Sequence, residues 1–566
     1  MTDPAAVSGP SASRDPFLRY EPRVLDPATA VRLPGGPAPT ATVYRGDVLL
    51  VTASGRAGAE TVIAVIEGLA AGLGLRRVGP DVFEEIDRDR DGQGRDGQGT
   101  DGTDGERGDD RRPGAREAEA HNRLARLLAL AEQAGTPLVV PIRFGSSADG
   151  PAPAVDVWPL LQAVRATGDD ELRQRVGLDH LMFAAAGISG NPYSRGTALV
   201  GGNPYSRGTA DIGGNPYSRG TAAGVGQYLQ GGSGGHGPVS VVLAPPQRRS
   251  SDCRPEVVVL DTGVGEHPWF QAHPVERRLL LDNGDPIGMD VEEPWVSATD
   301  PEGAGAVPDP LTGLLDTHAG HGTFITGLLR QTCADAGITS LRIMGADGVV
   351  AEDELTGALM ALAVRLDQHP ASVDAVVLSL GYYVESAEDV EYSAGLKHLL
   401  IDLAGRGVVT FAAAGNDCTD RRSYPAAFAD HPEFNTVGAL PLLAVAALNP
   451  DGSVALFSND ADWVNGEAAG ANVVSTAPVC ASGAWAADTS LRGPNGERRG
   501  TIDPDQFSGG FATWSGTSFA APVLAGRYLA NLVSAGCPAD VGERRALIPP
   551  RATYDDRATY GEGDHS

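Results

Sequence analysis

Three side chains in the second half of this chain have the types and the setting to activate a hydroxyl for attack on a carbonyl: Asp261, His321 and Ser518. A serine hydroxyl is a weak nucleophile until a base takes its proton. An imidazole is the common base near neutral pH, and a carboxylate can hold it in one tautomer and stabilise its protonated form. Asp261 ends the apolar run of EVVVLDTGVG (256–265), at the carboxyl end of what reads as a strand buried on both faces. His321 lies in GHGTFITGLL (320–329), at the start of a helix whose apolar positions continue through Ile325, Leu328 and Leu329. Ser518 lies in SGTSFAAPVLAG (515–526), where small neighbours allow a tightly packed helix start with a main-chain N–H free for a developing oxyanion. Each segment alone is weak. A strand-end Asp-Thr-Gly also occurs in aspartic proteases or in a plain turn, a lone histidine is more often structural, and His318 competes from outside the His-Gly-Thr sequence.

The elements around these residues alternate. From Val239 onward, apolar segments are separated by Gly-rich turns and strand signals alternate with helical ones, which predicts a parallel α/β domain over 239–545. A smaller α/β unit is expected over 41–188, with strands near 43–51, 137–144 and 179–185 and helices near 60–73, 117–134 and 155–166. An acidic, Gly-rich stretch (87–116) interrupts it and can bury almost nothing. Residues 1–40, rich in Pro, Ala and Ser, read as disordered, and 546–566 as a tail.

With 566 residues and 42% hydrophobic content, more than one folded unit with a real core is expected. The net charge of −29 disfavours nucleic acid and anionic membrane surfaces as partners. Five cysteines, odd in number and without CxxC spacing, argue against a disulfide scaffold and against a thiolate zinc site. Neither a basic n-region before an apolar run nor a membrane-length apolar segment is seen, so the expected location is cytoplasmic. Asp87, Asp89, Asp91 and Gly92 mimic the start of a calcium-binding EF-hand loop, but Gln98 stands where a bidentate glutamate belongs and Gly94 where an apolar residue belongs.

Taken in order, Asp261 in VVVLDTG, His321 in GHGT and Ser518 in GTSFAAP resemble the motifs of the subtilisin-like serine proteases. AAAGN (412–416), SLG (379–381), YPAAF (424–428) and FSNDADWVNGEAAGANVVST (457–476) resemble family sequence too, so the likeness covers about 252–535. The resemblance implies a subtilisin-like parallel sheet flanked by helices and hydrolysis of protein or peptide substrates by an Asp261–His321–Ser518 triad. It implies an oxyanion hole from Asn416 and the Ser518 N–H. It also implies substrate contacts from Ser379, Leu380, Gly381, Ala413 and Gly415. No cofactor is required; family members often bind structural calcium, but no ligand set can be placed here. Two segments are enlarged, an acidic, Pro-rich one over 283–312 and one rich in Gly and charge over 480–510, and the acidic charge of the first near a cleft would favour basic substrates. Cys418, two residues after Asn416, reads as a small neighbour of the oxyanion loop rather than a second nucleophile. The N-terminal region fits an inhibitory prosegment or a partner-sensing domain equally well.

Between the two units GNPYSRGTA occurs three times, from Gly190, Gly202 and Gly214, within a linker spanning 189–238. A duplicated flexible linker is one reading. The other is a peptide precursor, released by the attached protease after a peptide-modifying enzyme acts on Tyr193, Arg195, Tyr205, Arg207, Tyr217 and Arg219.

Overall fold

The computed structural model describes residues 20–32, 38–78, 129–133, 135–147, 154–185, 235–242, 244–249, 252–292, 299–303, 313–386, 394–436 and 438–551. The EF-hand-like segment, the three repeats with their six Tyr and Arg residues, most of the helix expected over 117–134 and the end of the tail lie outside these residues.

The N-terminal unit contains β1 (Pro22–Leu25), β2 (Thr42–Ala53), α1 (Arg56–Gly72), β3 (Leu75–Arg77), β4 (Leu138–Ser146), α2 (Trp158–Ala166) and β5 (Val176–Ala184). Its sheet runs β5-β2-β4-β3, with β1 paired to β2, and every pairing is antiparallel. Helix α1 buries Ala59, Val62, Ile63, Ile66 and Ala70, the one-sided stripe that its spacing dictates. The strand β2 is buried along nearly its whole length, so both faces of this sheet are covered. Its own helices cover one face. On the other, Gly395 stands so close to Val139 and Thr52 that a side chain there would collide with Val139 Cγ2. Residues 20–32, expected to be disordered, contribute β1 and the buried Tyr20; the Pro- and Ala-rich composition around them hid a short strand that is ordered by pairing with β2.

The second unit contains β6 (Gly237–Pro238), β7 (Glu256–Asp261), α3 (His321–Thr332), β8 (Gly337–Arg342), β9 (Val349–Ala351), α4 (Glu352–Gln368), β10 (Ala375–Leu378), β11 (Leu380–Gly381), α5 (Ala394–Gly405), β12 (Val409–Ala413), β13 (Leu442–Leu448), β14 (Gly466–Ala469), β15 (Val473–Thr476), β16 (Ser490–Arg492), β17 (Arg498–Gly500), β18 (Phe511–Trp514) and α6 (Thr517–Ala535). Six strands form a parallel sheet in the order β14-β13-β12-β10-β7-β8. Alternation divides each central strand between two cores. Val257 and Val259 pack with the α3 and α6 residues, while Val258 and Leu260 pack with those of α4 and α5. This is the parallel α/β domain that the apolar runs predict. The enlarged 480–510 segment carries the exposed hairpin β16–β17.

The two units are joined by strand pairing. Strand β5 runs antiparallel between β9 and β11, with Leu181, Met182 and Phe183 opposite Ala351, Val350 and Val349, and with Ala184 opposite Leu380. A disulfide, Cys253–Cys537, ties the segment before β7 to the end of α6. The cysteines therefore supply one bridge, though not a scaffold; residues far apart in sequence gave no spacing from which to read it.

Candidate active site

Asp261 is the last residue of β7 and His321 the first of α3, and both are fully buried. His321 Nδ1 lies 2.7 Å from Asp261 Oδ1, and with the Nδ1–H donating to that carboxylate Nε2 is the nitrogen without a proton in the neutral ring. The same carboxylate oxygen accepts from the Thr262 N–H at 2.8 Å. The two glycines around His321 are sterically required. Gly320 has a left-handed φ of 85°, and a Cβ on Gly322 would run into the Gly263 carbonyl oxygen. Trp514 and Phe519 wall the ring, with centroids 5.6 and 5.5 Å away. His318 lies edge-on to His321 at 5.7 Å, but it is His321 that bonds Asp261.

Beneath this pair lies a carboxyl that sequence reading missed. Glu302 belongs to the enlarged acidic segment and is almost fully buried. It bonds the hydroxyls of Thr262 and Thr323 and the Gly322 N–H. Burial raises its pKa to about 8, against the opposing pull of the two threonine hydrogen bonds. The only signal for it was its membership of an unusually long, acidic insertion.

Ser518 sits in the first turn of α6, fully buried. Its hydroxyl donates to the Ser379 carbonyl at 3.0 Å, and the Ser379 hydroxyl donates back to the Ser518 carbonyl at 2.8 Å. Among the described residues His321 Nε2 has no hydrogen-bond partner. Asn416 follows Gly415, whose φ of 105° and whose close approach to Asn459 Nδ2 leave no room for a side chain. The Thr517 N–H and hydroxyl both donate to Asn416 Oδ1 at 2.9 Å, which turns Nδ2 outward. Asn459 braces the loop, donating to the Ala414 carbonyl and accepting from the Asp417 and Thr419 N–H groups.

The occupant of this site is the chain itself. The carbonyl oxygen of Ala185, the residue after β5, accepts from the Ser518 N–H at 3.1 Å and from Asn416 Nδ2 at 2.5 Å. The Ala185 N–H donates to the Ser379 carbonyl at 2.9 Å, and the Ala184 N–H to the Gly348 carbonyl at 2.8 Å. Ser379, Leu380 and Gly381 thus line the end of β5 and the Ala185 that follows it. Ala413 instead pairs with Val445, and the Gly415 N–H donates to Thr517 Oγ1; among the described residues neither bonds β5. They act one layer back, shaping the loop that carries Asn416. The second rim, β9, was also missed; its signal is the short Val-Val-Ala run after the Asp347-Gly348 turn. The Cys418 thiol is pushed above its ordinary value by partial burial and then by Asp417, the opposite of activation. Among the described residues no group of three or more His, Cys, Asp or Glu is placed to hold a metal ion.

A parallel α/β domain with a carboxylate at a strand end, an imidazole bonded to it and a serine at the start of a buried helix defines a class of serine hydrolases. Residues 255–540, just over half of the chain, match the subtilase family model (Peptidase S8); the chain belongs to that family of serine peptidases and its second unit has the subtilisin-like fold. Among solved structures, it is similar to one described as the crystal structure of a cold adapted subtilisin-like serine proteinase, with 18% identity over 57% of this chain and 88% of that chain and a TM-score of 0.33. No curated protein matches it.

Proposed function

We propose that the chain is a serine endopeptidase that cuts its own main chain after Ala185 and is then held by its N-terminal unit as by a bound product. The observation that carries this reading is the carbonyl of Ala185, seated between the Ser518 N–H and the Asn416 amide while its strand is paired on both sides. Extended main chain paired to two rim strands is how a peptide is presented by strand addition.

Cleavage requires the Ser518 hydroxyl to leave the Ser379 carbonyl and turn its proton toward His321 Nε2. Oγ then attacks the Ala185 carbonyl carbon. His321 takes the proton, Asp261 stabilises the imidazolium, and the carbonyl oxygen gathers negative charge against the Ser518 and Asn416 donors. As the C–N bond breaks, His321 returns the proton to the amine of residue 186. Water then releases the acyl group by the same steps. Other protein or peptide substrates would enter as extended strands once β5 has left.

Mass spectrometry of the purified chain, with Ser518→Ala beside it, tests the reading. The expected result is fragments ending at Ala185 and beginning at Ala186 from the unaltered protein, and an intact chain from the variant. An intact unaltered protein that digests casein, or the same cut in the variant, overturns it.

The repeats keep the precursor reading in view because Ala185 lies just before the first of them, at Gly190. A single cut there leaves the repeats on the new N-terminus of the protease; release needs a second cut before β6. Intact-mass analysis from the native host, reading cuts and any Tyr or Arg modification together, distinguishes a linker from a released peptide. No described helix is long and apolar enough to cross a membrane. The cytoplasmic expectation and the Cys253–Cys537 bridge pull in opposite directions, because such bridges persist mainly in oxidising compartments.

A further inference from the structure

Counting back along β5, His180 is the sixth residue before the bond that follows Ala185. Its ring is clamped: Nδ1 lies 2.8 Å from Glu352 Oε2 and Nε2 lies 2.8 Å from Glu385 Oε2. Two carboxylates facing the two ring nitrogens require both to carry protons, so the ring is an imidazolium. One face of it stacks on Tyr382, with centroids 4.6 Å apart and planes 29° apart. Burial would lower the pKa of this imidazole, but the bonds to Glu352 and Glu385 outweigh it and raise the value to about 10.

All three residues of the clamp belong to the protease unit, and their placement follows from the cleft. Glu352 is the first residue after rim strand β9. Tyr382 and Glu385 follow rim strand β11. The same two strands that pair with residues 181–184 therefore end in carboxylates that close on residue 180. The cations at this rim come from the other unit. Arg165 of α2 pairs with Glu385, and Arg45 of β2 lies 3.5 Å from Asp353. Among the described residues no cation of the protease unit pairs with Glu352 or Glu385. Departure of the N-terminal unit leaves two carboxylates beside an aromatic face, and an uncompensated buried charge is costly.

We propose that Glu352, Glu385 and Tyr382 form an acidic subsite that selects a cationic side chain six residues before the cleaved bond in protein substrates, with His180 as its occupant in cis. A planar guanidinium suits the site best, since it can stack on Tyr382 while donating to a carboxylate on either side. The proposal rests on reading β5 as a substrate-like strand. It also assigns the preference for basic substrates to two specific residues of the cleft rather than to the acidic insertion.

The test uses blocked peptides X-Leu-Met-Phe-Ala-Ala-Ala-Gly-Ile, copied from residues 180–188 with Arg, His, Gln or Glu at X, digested by the self-processed full-length protein and followed by mass spectrometry. The expected result is cleavage between the second and third alanines, the counterparts of Ala185 and Ala186. The kcat/KM for Arg should exceed that for Gln by about 10–100-fold, as charge-assisted hydrogen bonds give, with Glu poorest. In Glu385→Gln and Glu352→Gln the ratio of Arg to Gln falls toward one. Because that ratio is internal to each variant, partial loss of folded protein does not move it. Cleavage at the same bond with equal kcat/KM for all four peptides overturns the subsite alone. Failure to cut any of them at that bond, by protein that digests casein in the same assay and so has an open cleft, overturns the subsite together with the reading of β5.

Discussion

The main-chain N–H of Ser518 donates to the carbonyl of Ala185, so the two units of this chain meet at the candidate active site. The Ala185 N–H is equally engaged, on the Ser379 carbonyl at 2.9 Å. Ala185→Pro removes that donor, because proline has no N–H, and its ring would be pushed against the Ser379 carbonyl. The expected outcome is an uncut chain with an intact protease unit, seen as a single full-length mass that still reacts with a fluorophosphonate at Ser518. A cut at the same bond in this variant would show that the pairing with Ser379 does not align the substrate.

Asn416 supplies the second donor to the Ala185 carbonyl, and its orientation is set by Thr517. Asn416→Ala should lower turnover by about 10²–10³, the usual cost of one oxyanion donor. It also leaves the Thr517 N–H without its acceptor, so stability should fall by about 1–3 kcal/mol. Asn416→Asp keeps an acceptor for Thr517 but sets a negative charge against the oxyanion. Turnover should fall at least as far while the unfolding midpoint stays nearer that of the unaltered protein. Equal turnover in all three would remove Asn416 from the reaction.

The candidate residues His321 and Asn416 stand out in the sequence because each sits in a short stretch whose composition is sterically forced. Gly320 and Gly322 cannot carry side chains beside His321, and Gly415 cannot beside Asn416. The parallel sheet was legible because strands buried on both faces are apolar without interruption, as in Val257–Leu260. The partners were not. Glu302, Glu352 and Glu385 look like ordinary surface charges in sequence, and only the folded chain brings them to Thr262 and His180. Strand β5 was legible as a strand, but nothing local says that its edges pair with β9 and β11 rather than within its own unit alone. Cys253 and Cys537 illustrate the same limit.

That bridge should stabilise the protease unit. It closes a loop of sequence separation 284, so the reduced, unfolded chain gains freedom that the bridged chain lacks. Cys253→Ser should lower stability by about 2–5 kcal/mol, read as a drop in the unfolding midpoint that matches the unaltered protein under reductant. A midpoint indifferent to both changes would show that the two sulfurs are not joined in solution.

Glu302 gives the chain a specific dependence on pH. Thr262 Oγ1 accepts from the Gly322 N–H, has one proton to donate, and faces carboxyl oxygens of both Asp261 and Glu302. A neutral Glu302 resolves the conflict by donating to Thr262, which then donates to Asp261, in keeping with a pKa raised by burial to about 8. The unfolded glutamate titrates near 4.5, the ordinary value. Between these two values the folded state binds the extra proton, so stability is fullest below about pH 4.5 as far as this group is concerned. It declines as pH rises toward about 8 and is not lost further above it. Glu302→Gln copies the neutral form, with an amide to donate to Thr262 and a carbonyl to accept from Thr323. The unaltered protein, compared with the variant by thermal unfolding from pH 5 to pH 9, should lose stability relative to it up to about pH 8 and then hold a constant difference. A difference that does not change across that range would mean that Glu302 is ionised throughout and that Thr262 is shared between two carboxylates.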